Sequence, residues 1–460
     1  MFAGLLLSAL LLAAVAIYSG AKRKVKAGLS TPLVSGLFMG SFVGGSSTVG
    51  TAQMAFHYGL SAWWFTLGGA IGCLVICAFL FPAFRREAEG RLTVIGMLEK
   101  EFGHRVGITA SILATTGMFI GLFAQMLSGT AVVSVVAPGA TLVGALYLTA
   151  AFMALYVIAG GTRGAGRAGL MKLALLYGSM LLCGGLVLVK TGGLSGFIEM
   201  VRGIPNPEGV AFFNPFNQGV HRVVSSVAAM TIGIATTQIY CQAIVRAEHP
   251  KEARAGLVLS SLLIPVLGAL GILVGLWMRA HFPDIDPRTA LTAFVLTQLP
   301  AFPAGIVLGS LFIAVVGTGA GIAYGITLIV KQDIAPRILP NTPRARFWTE
   351  KVTIAAVLAA GATCCALLPR EMILSYAIFS LGVRGSVIFV PLLFALWLKG
   401  RAAPGYALAS VIAGPATVLF FKWADVLPFS PLFPAIACTA LIMASGMTAK
   451  AREQSALIQK

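Results

Sequence analysis

Thirteen stretches of this 460-residue chain are long and apolar enough to cross a bilayer, which takes about 20 largely apolar residues. They run 2–20, 33–57, 62–84, 106–136, 140–160, 168–191, 224–246, 255–280, 301–332, 351–368, 372–398, 405–423 and 430–448. In lipid every backbone N–H and C=O must find its partner inside the protein, so the pattern predicts an all-α polytopic membrane protein. Composition agrees: 58% of residues are apolar and 10% charged, where soluble proteins carry about a quarter charged. The connections leave no room for a soluble domain. The largest are Thr191 to Val223, Arg85 to Arg105 and Lys331 to Glu350. Within the second, Thr93 to Phe102 has helical spacing and is either a surface helix or a solvated connector.

The charges orient the bundle. There are 33 Lys and Arg against 15 Asp and Glu, a formal net charge of +18. The first stretch has no basic start and is followed by Lys22, Arg23, Lys24 and Lys26, the reverse of a secretory signal. It reads as an uncleaved span with its N-terminus outside. Inner connections then hold 25 basic residues and outer ones 7, so the positive-inside bias accounts for the charge without a nucleic-acid partner. Thirteen spans put the C-terminus in the cytoplasm, and the expected location is the cell inner (plasma) membrane. All seven cysteines lie in apolar stretches, with no His or carboxylate at metal spacing, and read as small apolar residues.

The 15 carboxylates and five histidines all fall in connections or at span ends, so an ion held inside the bilayer meets mainly neutral oxygen. That suits a small hard cation such as Na+, coordinated by carbonyls and hydroxyls where helices unwind. The segment Gly40 to Gly50 (GSFVGGSSTVG) is the first place for it, because glycine pairs and hydroxyl residues weaken a helix in mid-span. It is either a discontinuous helix or a Gly/Ser face packed closely on a neighbour. Thr231 to Gln238 repeats the pattern at the start of the second half, and two such segments point to an inverted-repeat transporter. Gly317, Gly321 and Gly325 share one helix face, as close packing requires. Arg384 is the one charge placed deep in a span, with no carboxylate to meet it. It either faces the transport cavity, where its planar fork suits a substrate carboxylate, or is satisfied by helix-end carbonyls or gates the pathway. Gly160 to Gly166 lacks the phosphate-loop pattern and reads as a turn. No hydrolase triad is apparent, so no enzymatic activity is expected.

Three segments together resemble the sodium:solute symporter family. One opens at Gly44 with GGSSTVGTAQMAFHYGLSAWW, followed by FPAFRR and TVIGMLEKEFG; the second is QIYCQAIVRAEHPKEARAG, Gln238 to Gly256; the third, Phe282 to Ile334, opens FPDIDP and ends KQDI. The resemblance implies a thirteen-span chain with a LeuT-type 5+5 inverted repeat and discontinuous first and sixth core helices. The implied division is a flanking span and basic link (1–30), first repeat (31–192), outer loop (193–222), second repeat (223–398), then two flanking spans and a short tail (399–460). The implied sodium site takes backbone carbonyls near Gly40 and Val43. Counting back from Asp333 adds three positions, Ala314, Gly317 and Thr318. The implied substrate cavity is lined by Ser46, Ser47, Gln125, Thr237, Gln238 and Arg384.

Two departures qualify the match. Gly317 stands where the family usually has a hydroxyl residue, and Ala168-Gly169 stands where many members have Thr-Asp, so no additional cation site is predicted. Gly233 aligns with the bulky aromatic gate of the family's sugar transporters, which disfavours a sugar and favours a small organic anion. The expected function is Na+-coupled symport, with Na+ as coupling ion, a small-molecule substrate, the lipid bilayer as surroundings and no obligate protein partner. Proton coupling on the same scaffold, or a transporter-like sensor or regulatory subunit, are the alternatives.

Overall fold

A computed structural model describes residues 29–458 apart from 88–92, 161–164, 206–208, 210, 332–334, 336–341, 369–371, 425 and 428. The expected first span 2–20, its basic link and Asp333 lie outside the described residues. What is described is a helical bundle. In chain order the helices are α1 (Thr31–Phe42), α2 (Thr51–Tyr58), α3 (Trp64–Val75, carried on by Ile76–Leu80 and Phe81–Glu87), α4 (Val94–Phe102), α5 (His104–Val136) and α6 (Leu142–Gly160). They continue as α7 (Ala165–Lys190), α8 (Leu194–Arg202), α9 (Val220–Ala235), α10 (Gln238–Val245), α11 (Pro250–His281) and α12 (Ala290–Gln298). The last five are α13 (Ala301–Ile329), α14 (Pro343–Leu367), α15 (Ile373–Trp397), α16 (Pro404–Ala424) and α17 (Leu432–Ile458).

Among the described residues nine helices are long and apolar enough to cross a membrane, or ten if α9 and α10, bent by 49° at their junction, make one broken span. The latter part of the stretch 33–57 and the stretch 62–84 fall in one helical segment, Ser46–Arg86, with a corner at Gly59. There φ is +61°, and a Cβ would lie 2.2 Å from the Phe212 carbonyl oxygen, so only glycine makes the corner. The connector Thr93 to Phe102 is a helix, α4, with the Thr93 hydroxyl accepting from Gly96 N at 2.8 Å as its N-cap.

Two packed groups organise the bundle. Helices α1, α2, α3, α9 and α11 pack on one another; α5, α6, α13, α14 and α15 form a second group, and α7 lies between them against α1, α11 and α13. At one end of the first group the chain is stitched together. Leu29 N donates to Arg246 O at 2.8 Å, Glu248 N donates to Leu29 O at 3.1 Å, and Thr31 donates through its N–H and hydroxyl to Glu252. Arg85 Nη1 covers the carbonyls of Ile244, Val245 and Ala247 at 3.3–3.4 Å, which satisfies the otherwise orphaned C-terminus of α10. These bonds tie the start of α1 and the end of α3 to the end of α10 and the start of α11.

Candidate functional site

The helix that begins with α1 stops at Phe42. Val43 is extended, and helical structure resumes only in the wide turn Ser46–Gly50 that leads into α2. Polar side chains from the second group fill the gap. A Cβ on Gly44 would lie 2.7 Å from Thr318 Oγ1 and 2.8 Å from Gln125 Oε1, and one on Gly45 would lie 2.1 Å from Ser128 Cβ. Glycine is thus required here by contact. Freed backbone groups find side-chain partners: Gly45 N donates to Gln125 Oε1 at 3.0 Å, Gly44 N to Ser47 Oγ at 3.1 Å, and Thr48 Oγ1 to Gly44 O at 2.9 Å. Gln125 Nε2 completes the clamp by donating to Ser46 Oγ at 3.1 Å. Unwound backbone at membrane depth persists only with such partners.

Of the five residues expected to hold the ion, the structure joins Val43 and Thr318 directly, Thr318 Oγ1 donating to Val43 O at 3.2 Å. Gly40 O lies on the same cluster, accepting from Lys172 Nζ at 3.0 Å; Lys172 Nζ also donates to Thr318 Oγ1 at 2.6 Å. Ala314 and Gly317 share the Thr318 face of α13 by their spacing, and Ala314 is fully buried. This corrects the reading of Arg384 as the one charge inside a span. Lys172, near the start of the stretch 168–191, falls in sequence among the basic residues of a helix end, yet its side chain turns inward and is 4% exposed. As these side chains stand, Gly40 O and Thr318 Oγ1 accept from Lys172 Nζ, and Val43 O accepts from Thr318 Oγ1. Among the described residues no group of three His, Cys, Asp or Glu could hold a metal.

The second interruption lies at Thr236–Thr237, between α9 and α10. Its hydroxyls fold back on their own helix, Thr236 Oγ1 onto Ile232 O at 2.9 Å and Thr237 Oγ1 onto Gly233 O at 2.5 Å. Gln238 Oε1 accepts from Val94 N at 2.7 Å, at the start of α4, while its Nε2 is buried with no partner. Opposite, α15 carries Arg384. Gly117 of α5 makes room for its stem, since a Cβ there would lie 2.5 Å from Arg384 Cγ, and Ser380 Oγ donates to Gly117 O at 2.7 Å. Arg384 Nε is buried without a hydrogen-bond partner, and none of the described ion pairs includes this residue. Tyr240, stacked on Phe38 with ring centroids 4.5 Å apart, is within electrostatic reach of the guanidinium. At Gly233 the space of a side chain is taken by Leu381, whose Cβ is 2.6 Å from where a Cβ would stand.

Of the expected substrate positions, the structure therefore pairs Ser46 with Gln125 at the first break. Thr237 and Gln238 stand at the second, Arg384 on α15, and the Ser47 hydroxyl turns back to Gly44. Two interrupted helices, each crossed by helices of the other half, define a membrane transporter of the broken-helix class.

Residues 28–414 match the sodium:solute symporter family, and the chain belongs to that family. Membership indicates Na+ as the coupling ion. No curated protein matches the chain in sequence. Among solved structures, a Na+-coupled sialic acid symporter in a substrate-bound outward-open state is similar over 98% of this chain and 97% of its own, with a TM-score of 0.77 at 16% identity. Mhp1, a nucleobase-cation-symport-1 family transporter in a closed conformation, is similar over 93% and 94%, with a TM-score of 0.57 at 14% identity. A manganese transporter mutant from Eremococcus coleocola covers 92% and 94%, with a TM-score of 0.52 at 12% identity. The shared fold is the LeuT-type inverted repeat, whose discontinuous first and sixth core helices are here α1/α2 and α9/α10.

Proposed function

We propose that the protein imports a small organic anion, a carboxylate or an amino acid, together with Na+ by alternating access. The orphaned Nε of Arg384 carries the anion part of this reading: a buried guanidinium donor with no partner in the protein is complementary to a carboxylate that arrives from outside. On this reading Ser46, Ser47, Gln125, Thr237 and Gln238 supply neutral hydrogen-bonding groups to the same substrate. Gly40, Val43, Ala314, Gly317 and Thr318 form the ion site. The two packed groups of helices, each drawn from both repeats 31–192 and 223–398, rock against each other, with the N-terminus outside and the C-terminus in the cytoplasm. The ion at the first break and the anion at the second meet interrupted helices of one packed group, and if the two sites are coupled each raises the other's affinity by one common factor.

Purified protein in liposomes tests this with a panel of radiolabelled small carboxylates and amino acids at fixed pH. An inward Na+ gradient is expected to drive accumulation of at least one of them above the level seen with K+. Uptake indifferent to the Na+ gradient contradicts the coupling.

A further inference from the structure

Lys172 is the feature that the symport reading leaves unused. Three oxygens surround its ammonium or its immediate partner: Gly40 O at 3.0 Å, Thr318 Oγ1 at 2.6 Å and, through Thr318, Val43 O at 3.2 Å. These are oxygens that the family pattern gives to sodium. The direction of the bonds is fixed by proton count. Thr318 has one hydroxyl proton and spends it on Val43 O, so toward Lys172 it can only accept, and Lys172 donates to both of its partners.

Local sequence explains how a lysine reaches this point. A Cβ on Gly40 would lie 3.4 Å from Gly169 Cα, and one on Gly169 would lie 3.1 Å from Gly36 O. Two facing glycines bring α7 against α1, and Lys172, three residues beyond Gly169, stands one turn further along the same face. The missing hydroxyl belongs to the same arrangement. A Cβ on Gly317 would meet Lys172 Cδ at 3.8 Å and the Tyr156 hydroxyl at 3.7 Å, so the lysine stem runs past the place where the family carries its second oxygen. No carboxylate among the described residues pairs with Lys172. A cradle of neutral oxygens holds one positive charge, because two cations about 3 Å apart repel strongly with no anion between them.

We propose that the Lys172 ammonium is a tethered cation occupying the sodium position, so that it and a sodium ion are alternative occupants of one site. The tether pins the interrupted helix to α7 and α13 in the ion's absence, and sodium binds only as Lys172 withdraws. The inference rests on the assignment of these oxygens as the ion site and adds the competitor built into it.

The test is equilibrium binding of 22Na+ to the purified full-length protein, in choline-balanced buffer at fixed pH. Lys172→Met and Lys172→Gln are expected to bind sodium at least tenfold more tightly than the wild type, and Lys172→Met/Gly317→Ser more tightly again. Lys172→Arg, which keeps a charge and its donors, is expected to stay as weak as the wild type. Equal sodium affinity in the wild type and both neutral variants overturns the proposal. If the neutral variants are monodisperse only when prepared in sodium, the proposal is supported, since the ion then replaces the ammonium's hold. Failure to fold in sodium and potassium alike overturns it.

The outcome is separable from that of the symport reading. Wild-type uptake that ignores sodium, alongside tight sodium binding by Lys172→Met, sinks sodium-driven symport and supports the tether. Sodium-driven uptake with unchanged affinity in Lys172→Met does the reverse.

Discussion

The two interrupted helices are built from similar residues and end in different states. At the first, α5, α7 and α13 reach in, and Gln125, Lys172 and Thr318 bond to carbonyls and amides that the break releases. At the second, Thr236 and Thr237 bond only to their own helix, and polar atoms are left over at Gln238 Nε2 and at Arg384 Nε on the facing helix. A buried polar atom without a partner costs about 1–3 kcal/mol, so a structure that closes one break and leaves the other open has assigned them different work. The first is a finished site around a positive charge. The second keeps two buried donors, Gln238 Nε2 and Arg384 Nε, without a partner.

Substitutions can break that contrast. The largest effect on stability is expected at Gly45→Ala: the backbone there is ordinary α-helical, but the new methyl would sit 2.1 Å from Ser128 Cβ and 2.9 Å from Val315 Cγ2. Neither is the far end of a flexible chain, so the clash has to be relieved by moving α2 off α5, at about 3 kcal/mol. A thermal-melt comparison in detergent reads this as a large loss, and an unchanged melting temperature means that the first break is not clamped. A much smaller effect is expected at the second break for Gln238→Ala. It removes one hydrogen bond, to Val94 N, and also one orphaned donor, for a net change of about 1 kcal/mol or less. Were Gln238→Ala to destabilise as much as Gly45→Ala, the second break would be as closed as the first.

Much of this was legible in the residues. The apolar stretches mark the described helices, because a twenty-residue apolar run in lipid has few other ways to satisfy its backbone. Both interruptions fall inside the segments singled out, Gly40 to Gly50 and Thr231 to Gln238, where glycine pairs and hydroxyl residues make the helix weak. The register of Thr318 against Val43 follows from the family's spacing back from Asp333.

What could not be read is set by contacts between distant segments. Lys172 looks like any lysine near a helix end, whose stem usually carries its charge outward to the headgroups. Its inward turn depends on Gly169 meeting α1 at Gly36 and Gly40, more than a hundred residues earlier in the chain. A lysine one turn beyond such a glycine, inside an apolar stretch, was the available signal. In the same way, the use of Gln238 to cap α4 through Val94 N requires knowing that α4 lies beneath the second break.

The role proposed for Arg384 is to meet an anion at the second break. A thermal-shift and binding comparison of the wild type with Arg384→Gln, over a panel of small carboxylates and amino acids at constant sodium, tests it most directly. The account predicts that whichever compound stabilises the wild type binds the variant on the order of 100-fold more weakly, the effect of losing about 3 kcal/mol of buried charged hydrogen bonding, while the ligand-free variant melts no lower than the wild type. A variant that binds the same compound with unchanged affinity contradicts the account and returns Arg384 to the role of a packing residue between α5 and α15.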